Sequence, residues 1–317
     1  MVSSSHFVIE PRSDGATDEQ ISEVLANPKF GAVFTDHMAR IDWDQESGWH
    51  GGTVGAYGPL QLDPATSVLH YGQEIFEGMK AYRHADDSIW TFRPDRNAAR
   101  FAGSARRVAL PGVPEEIFLD ALAALVGQDR QWVPPSTNGE ASLYLRPFML
   151  ATEIGLGVRP SNKAAFIVIA SPAGAYFASG VKPVSIWLSQ DYSRAAPGGT
   201  GAAKCGGNYA ASLAPMAEGL EHGCDQVAFL DAVENRWVEE LGGMNLFFVF
   251  ADGHIVTPEL TGTILEGVTR SSLIDVARDH GHEVIERKYS IEEWRDDATS
   301  GDLVEVFACG TAAVITP

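Results

Sequence analysis

The stretch GGTGAAKCGGNY, residues 198–209, places a single lysine, Lys204, between two clusters of glycine. A phosphate-binding P-loop requires the pattern GxxxxGK[ST], but Ala203 precedes this lysine and Cys205 follows it. The dinucleotide fingerprint GxGxxG also fails, because Lys204 occupies the position of its last glycine. The glycines let a flat ligand approach the backbone closely, although a flexible surface loop with a solvated lysine has the same composition.

Apolar patterning on both sides of this stretch predicts alternating strands and helices. Runs rich in β-branched and aromatic residues predict strands at 142–150, 165–171, 183–189, 244–250 and 303–308. Helical spacing of apolar residues predicts helices at 117–126, 209–221 and 268–280. Gly223 and Gly281 follow the last two helices as stop signals.

The segment 172–182 is rich in Gly, Ala and Ser and separates two apolar strands, which is typical of a linker. We therefore expect a mixed α/β and α+β protein of two domains with a cleft between them. The small N-terminal domain is expected at residues 1–171, the interdomain loop at 172–182 and the large domain at 183–317.

Composition excludes several classes of protein. The 317 residues are 45% hydrophobic and 21% charged, which is ordinary for a globular protein with a large core. The net charge of −19 disfavours binding to nucleic acid or to a membrane surface. No apolar run approaches the ~20 residues that cross a bilayer, and the N-terminus lacks the pattern of a signal peptide.

Cysteine and histidine usage indicates neither a disulfide framework nor a metal site. The three cysteines, Cys205, Cys224 and Cys309, are widely spaced and include no CxxC pair, which fits a reducing cytoplasm. His280 and His282 flank a glycine at a predicted helix end, a pattern typical of a solvated turn. We predict no metal and a cytoplasmic location.

Taken together, several segments resemble one enzyme family over nearly the whole chain. KCGGNY (204–209) resembles the K-x-G-G-N-Y motif of branched-chain amino-acid aminotransferases, which are fold type IV enzymes dependent on pyridoxal 5′-phosphate. The other matching segments, in chain order, are FTDHM (34–38), LHY (69–71), FEGMK (76–80), SLYLRP (142–147), ELGGMN (240–245), GVTR (267–270) and FACGTA (307–312). The resemblance implies a two-domain fold type IV enzyme, similar to D-amino-acid aminotransferase, whose second domain binds the cofactor.

The resemblance implies roles for three residues around the cofactor ring. Lys204 forms the Schiff base with pyridoxal phosphate and, once released, moves the proton, since an amine condenses with an aldehyde and then serves as a base. Glu240 pairs with the pyridine nitrogen and keeps the ring protonated, so that the ring accepts electrons from the substrate. Tyr209 contacts the ring oxygen.

The resemblance also implies the phosphate and substrate residues. The planar guanidinium of Arg100 suits the phosphate, which the backbone N–H groups of Val268 and Thr269 and the hydroxyl of Thr311 also receive. By the same resemblance, Phe34, Tyr71, Phe76 and Tyr144 line an apolar substrate pocket. Arg146, together with Tyr144, receives the glutamate carboxylate. The backbone amides of Thr311 and Ala312 meet the α-carboxylate.

The family resemblance predicts a transaminase that moves the amino group of L-leucine, L-isoleucine or L-valine to 2-oxoglutarate, giving L-glutamate. It further implies a homodimer in which the partner completes the site. Two alternatives stay open. One is another fold type IV enzyme, a D-amino-acid aminotransferase or an aminodeoxychorismate lyase. The other is an inactive binding module, because the chain ends at Pro317 where family members continue, so that the large domain is expected to be incomplete.

Overall fold

The computed structural model describes residues 6–174, 182–312 and 314–317. The chain divides into two compact units, Met1–Ala178 and Ser179–Pro317. In the first unit the described elements are β1 (Val8–Ile9), α1 (Asp18–Ala26), β2 (His37–Asp44), β3 (Gly48–Ala56), α2 (Val68–Tyr71), β4 (Glu74–Phe76), β5 (Met79–Arg83), β6 (Ile89–Thr91), α3 (Pro94–Arg107), α4 (Glu115–Gln128), a 3-10 turn (Arg130–Trp132), β7 (Ser142–Ala151) and β8 (Lys163–Ala173).

The first unit is built on one sheet with the strand order β1-β3-β2-β8-β7-β5-β6, and β4 also pairs with β7. Helix α4 packs on β2, β3 and β8. Its apolar residues recur at helical spacing, so one face of the helix is buried. Phe118 of this face lies 5.5 Å from Phe101 of α3 and 5.6 Å from Phe166 of β8, measured between ring centroids.

In the second unit the described elements are β9 (Ile186–Ser189), α5 (Gly206–Glu221), β10 (Gln226–Leu230), β11 (Val238–Leu241), β12 (Asn245–Phe250), β13 (Ile255–Thr257), α6 (Val268–Asp279), β14 (Val284–Glu286), α7 (Ile291–Ser300), β15 (Leu303–Gly310) and β16 (Val314–Thr316). The strand order is β14-β13-β12-β11-β10-β9, with β15 paired to both β12 and β16.

The apolar run of β12 is explained by burial on both faces of this sheet. Leu246, Phe248 and Phe250 pack into one core cluster, which Trp294 of α7 joins. Phe247 lies in a second cluster with Ile274 of α6. Alternate residues of a strand point to opposite faces, so a strand covered on both sides is apolar throughout.

The strands and helices predicted from the sequence are confirmed as elements, with different ends. The predicted strand 165–171 runs from Lys163 to Ala173, because it pairs with β7 along its whole length up to the partners Ser142 and Ala173. Two residues of the expected interdomain loop, Pro172 and Ala173, therefore belong to β8. Residues 175–181 of that loop lie outside the described residues, and its role as a linker stays a prediction.

None of the helices in the described part of the chain is long and apolar enough to cross a membrane.

Replacing Phe118 with alanine tests the packing of the first unit. The side chain is fully buried, so Phe118→Ala is expected to lower the free energy of unfolding by about 3–5 kcal/mol. The matched control is Phe92→Ala, since Phe92 is 58% exposed, and it should change stability by less than about 0.5 kcal/mol. Urea unfolding followed by circular dichroism measures both. Equal effects of the two substitutions would contradict this account of the core.

Candidate active site

Lys204 lies immediately before α5, and its side chain is held by the first turn of that helix. Its Nζ donates a hydrogen bond of 2.8 Å to the phenol oxygen of Tyr209 and lies 5.3 Å from the centroid of the same ring. The helix brings the two together because Cys205 is its N-cap and Tyr209 lies in its first turn. The predicted amine and phenol are therefore neighbours.

Glu240 lies on β11 in a buried network of donors. Its Oε1 accepts from the backbone N–H of Leu265 at 2.9 Å and pairs with the guanidinium of Arg194. Its Oε2 accepts from Nδ2 of Asn245 at 3.3 Å. Because the residue is only 2% exposed, these donors replace the water that the carboxylate loses on folding.

The environment of Glu240 sets its protonation. Burial raises the pKa of its carboxyl group to about 7, against the opposing effect of the positive charges of Arg194 and Lys204. A further cation beside this carboxylate would favour the ionised form, because an opposite charge stabilises a buried anion. The site is therefore suited to pair with a protonated ring nitrogen.

The N-terminus of α6 and the turn after β15 complete this part of the second unit. Val268 and Thr269 open α6, whose N-cap, Gly267, provides no side-chain hydrogen bond to the first turn. The first N–H groups of the helix and the positive end of its dipole suit a phosphate. A Cβ at Gly267 would overlap with Oδ1 of Asn245, so only glycine permits this approach.

Strand register brings another predicted cofactor residue, Thr311, to the same end of the sheet as Glu240. Glu240 of β11 pairs with Asn245 of β12, which pairs with Cys309 of β15. Thr311 and Ala312 follow in the turn between β15 and β16. Because paired strands place partner residues side by side, this turn lies at the end of the sheet that holds Glu240.

Arg100 lies in the first unit, on α3, and is oriented by Glu77. The guanidinium donates from Nε to Oε1 of Glu77 at 2.7 Å and from an Nη to Oε2 at 2.8 Å, which is a bidentate pair. Glu77 is completely buried and also accepts from Nδ2 of Asn97 at 2.7 Å. This pairing fixes the plane of the arginine that the sequence assigns to the phosphate.

Three of the predicted substrate residues form one cluster on the sheet of the first unit. The guanidinium of Arg146 lies 4.8 Å from the ring centroid of Phe76 and donates to the phenol oxygen of Tyr144 at 3.1 Å. Among the residues that the structure describes, Nε of Arg146 is buried and has no hydrogen-bond partner. That donor is therefore not used by the described part of the protein. A Cβ at Gly78 would overlap with the Tyr144 hydroxyl, so glycine is required beside the cluster.

Phe34 and Tyr71 are placed elsewhere in the first unit. The ring of Phe34 stacks on Tyr57 with centroids 5.0 Å apart. Tyr71 is 41% exposed, and its hydroxyl donates to the backbone carbonyl of Leu156. These contacts do not involve the cluster around Arg146, and the roles of Phe34 and Tyr71 in substrate binding stay predictions.

Three further residues hold the predicted ones in place, although the sequence motifs assign them no such role. Arg194 is 7% exposed and donates to the carbonyls of Gly201 at 3.0 Å and Thr263 at 2.8 Å, in addition to pairing with Glu240. Asn245 and Glu77 lie inside the quoted motifs ELGGMN and FEGMK, which was their signal. Arg194 lies in no motif, so its role required the structure.

These donors fit pyridoxal 5′-phosphate. The second unit offers an amine for the aldehyde, a phenol for the ring oxygen, a buried carboxylate for the ring nitrogen and an uncapped helix N-terminus for the phosphate. No group of three or more His, Cys, Asp or Glu side chains in the described residues is arranged to hold a metal ion. This set of residues is that of an aminotransferase site.

Comparison with known proteins agrees with this class. The profile of the amino-transferase class IV family matches residues 74–317. The branched-chain-amino-acid aminotransferase of Mycolicibacterium smegmatis is 60% identical over 314 residues, which cover 98% of this chain and 85% of the relative.

Solved structures agree as well. The branched-chain amino acid aminotransferase of Escherichia coli is 30% identical, with a TM-score of 0.71 over 88% of this chain and 85% of that one. The T.th. branched-chain amino acid aminotransferase, solved with pyridoxamine 5′-phosphate, is 32% identical, with a TM-score of 0.68 over 88% of this chain and 85% of that one. The chain therefore belongs to the class IV aminotransferases, with the fold type IV architecture, and within them to the branched-chain-amino-acid aminotransferases.

The raised pKa of Glu240 predicts a pH dependence of stability in the cofactor-free protein. Because the folded state binds this proton more tightly than the unfolded state, the free energy of unfolding falls as pH rises from about 4.5 to about 7. This group contributes on the order of 3 kcal/mol to that fall. Glu240→Gln cannot ionise and should remove this part of the slope, measured by urea unfolding at a series of pH values.

The matched control for this experiment is Glu221→Gln, because Glu221 is exposed at the end of α5. Its profile should follow that of the wild type. If Glu240→Gln also keeps the wild-type slope, Glu240 is not the buried, proton-binding acid described above.

Proposed function

We propose that this enzyme transfers the amino group of L-leucine, L-isoleucine or L-valine to 2-oxoglutarate with pyridoxal 5′-phosphate as cofactor. One observation carries the proposal: Lys204 bonds to Tyr209 and its charge acts on the buried Glu240, in the same unit of the fold as the N-terminus of α6. The relative from Mycolicibacterium smegmatis is named a branched-chain-amino-acid aminotransferase, and the match to it covers 98% of this chain.

When bound, the cofactor supplies an aldehyde for the substrate amine and a ring that accepts electrons from the α-carbon. Lys204 would hold the aldehyde group of the cofactor, and its amine would accept and return the proton of the substrate α-carbon. Its hydrogen bond to Tyr209 keeps Nζ on the phenol side of the site. Glu240 would hold the proton of the ring nitrogen, and the ion pair with Arg194 would keep the Glu240 carboxylate in place.

Substrate recognition requires an apolar surface and a donor for a second carboxylate. The cluster in the first unit offers an apolar ring and a donor. The ring of Phe76 covers one face of the Arg146 guanidinium, and Nε of Arg146 has no partner among the described residues. We assign Arg146 and Tyr144 to the distal carboxylate of glutamate. The rings of Phe34, Tyr71 and Phe76 are assigned to the branched side chain, and the backbone of the Thr311–Ala312 turn to the α-carboxylate.

We also propose that the enzyme is a cytoplasmic homodimer. An apolar surface in the first unit supports the dimer: the segment before α2 is joined to Ile154 by the Thr66–Ile154 bridge, and Tyr71 at the end of α2 bonds to Leu156. The exposed fractions of its apolar residues are 57% for Leu69, 41% for Tyr71, 64% for Ile154, 64% for Leu156 and 82% for Val158. Exposed apolar residues grouped on linked segments are typical of an interface. The three cysteines are free, which agrees with a reducing compartment.

The absorption spectrum of the bound cofactor tests the reaction. L-leucine is expected to convert the pyridoxal form to the pyridoxamine form, and 2-oxoglutarate is expected to restore the first spectrum. A response to D-alanine alone would make the enzyme a D-amino-acid aminotransferase. Failure to bind the cofactor would favour the inactive module.

Replacing the lysine tests the catalytic assignment. Lys204→Ala removes the amine that binds the aldehyde and moves the proton, so kcat with L-leucine and 2-oxoglutarate should fall by at least about 10²–10⁴-fold. Lys163→Ala, at an exposed position of β8, is the control and should keep the wild-type kcat. Wild-type turnover by the Lys204 variant would overturn the mechanism.

The double substitution Leu156→Asp with Val158→Asp tests the dimer. It places two charges on the exposed apolar surface, so light scattering after size-exclusion chromatography should report the mass of one chain instead of two. Val276→Asp, on an exposed face of α6 where Val276 is 52% exposed, should leave the mass unchanged. A dimer that survives the double substitution places the interface elsewhere.

A further inference from the structure

A cavity of about 190 Å³ lies within the second unit. Its walls include Trp237, Val238 and Glu239, the segment from Pro258 to Thr263, and Lys288. Glu239 is the neighbour of Glu240 on β11, so the two side chains point to opposite faces of the strand. At about 30 Å³ per water, the cavity has room for roughly six water molecules, which is the size of a small organic ligand.

Two buried polar atoms of this wall lack a partner among the described residues: Oε2 of Glu239 and Nε1 of Trp237. Glu239 is 95% buried, since its exposed fraction is 5%. Its other oxygen accepts from the hydroxyl of Thr263, which also bonds to that of Thr261 at 2.7 Å. The carboxyl group is therefore held at one oxygen, while the second is buried without a donor among the described residues, in a side chain that lines the cavity.

Besides Glu239, the charged residues that line the cavity are Asp231, Glu234, Glu259 and Lys288. The carboxylate of Asp231 is already occupied, because it accepts from backbone N–H groups including those of Glu234 and Trp237. The ammonium of Lys288 lies 5.2 Å from the centroid of the Trp237 ring. One wall thus offers an unused anionic acceptor beside an indole donor and a cation. The remaining walls include the apolar side chains of Pro197, Val233, Val238, Pro258 and Ile264.

We propose that this cavity is a second amino-acid site, which binds a free α-amino acid with a short aliphatic side chain. The ligand's ammonium group donates to Oε2 of Glu239. Its carboxylate accepts from Nε1 of Trp237 and faces the ammonium of Lys288. Its side chain lies against the apolar walls.

Two properties of the wall agree with such a ligand. Burial raises the pKa of the Glu239 carboxyl group, and an ammonium bound at Oε2 would compensate for the lost solvation. Thr263 also connects the cavity to the cofactor site: its hydroxyl donates to Glu239, and its carbonyl accepts from Arg194, the partner of Glu240. The ligand therefore lies one residue from the network that holds the ring-nitrogen carboxylate.

Binding of L-valine to the holoenzyme after borohydride reduction tests the proposal. Reduction fixes the cofactor to Lys204, so the catalytic site can no longer accept an amino group. Isothermal titration calorimetry should then show one L-valine bound per chain. Isobutylamine and 3-methyl-2-oxobutanoate, which carry only one of the two charged groups each, should bind at least about tenfold more weakly, a difference of about 1.4 kcal/mol.

Three variants separate this cavity from the catalytic site. Glu239→Gln removes the anionic acceptor and Trp237→Phe removes the indole N–H, and each should weaken L-valine binding at least about tenfold. Glu234→Gln is the control, since Glu234 lines the same cavity but is exposed, and it should change the affinity less than about twofold. Circular dichroism and cofactor absorption establish that each variant folds.

A crystal structure of the reduced enzyme with L-valine gives a direct answer, even if Glu239→Gln fails to fold. Density for the amino acid beside Glu239 and Trp237 would establish the site. Water molecules alone in the cavity would overturn it, as would L-valine binding that neither substitution weakens, or an absence of binding. If borohydride does not fix the cofactor, the role proposed for Lys204 fails, while the crystal structure still tests the cavity.

Discussion

The cofactor part of this site depends on keeping one carboxylate, Glu240, away from water and beside positive charge. Burial alone favours the protonated acid, and it raises the pKa of this group to about 7. Arg194, the N–H of Leu265 and the amide of Asn245 counter this by donating to the two oxygens. Because burial and these donors act in opposite directions, a further cation beside Glu240 would shift its carboxyl group to the ionised form. An ionised carboxylate at this position would be suited to hold the proton of a pyridinium ring.

The packing of the second unit places these groups. Strand β12 is covered on both faces, so Asn245 at its start is held between β11 and β15. The backbone of Gly201 packs directly against the backbone of Thr263, because a Cβ at position 201 would overlap with the Thr263 carbonyl. Arg194 bridges these two segments through their carbonyls. The loop that carries Lys204 is thereby joined to the segment that precedes α6.

The first unit shows the same use of buried ion pairing around arginine. Glu77 is completely buried, and its bidentate pair with Arg100 leaves little freedom in the plane of the guanidinium. Arg146 is held differently, between an aromatic ring and a phenol. Its Nε, which has no partner among the described residues, leaves a donor for a ligand. The two arginines thus differ in which of their donors the protein itself uses: two donors of Arg100 bond to Glu77, whereas Nε of Arg146 has no partner among the described residues.

The sequence by itself determined the class of enzyme and assigned Lys204, Tyr209 and Glu240 as its candidate central residues. Lys204, Tyr209 and Glu240 could be predicted because glycine-rich turns and short apolar strands are local patterns, and because their motifs occur in a family order. The strand and helix positions followed for the same reason, although the end of β8 at Ala173 was set by its pairing with β7. The roles of Arg194 and of the cavity beside Glu239 were decided by the tertiary structure alone. Burial, ion pairing and an unpartnered oxygen arise between segments far apart in the chain, and no local pattern of residues records them.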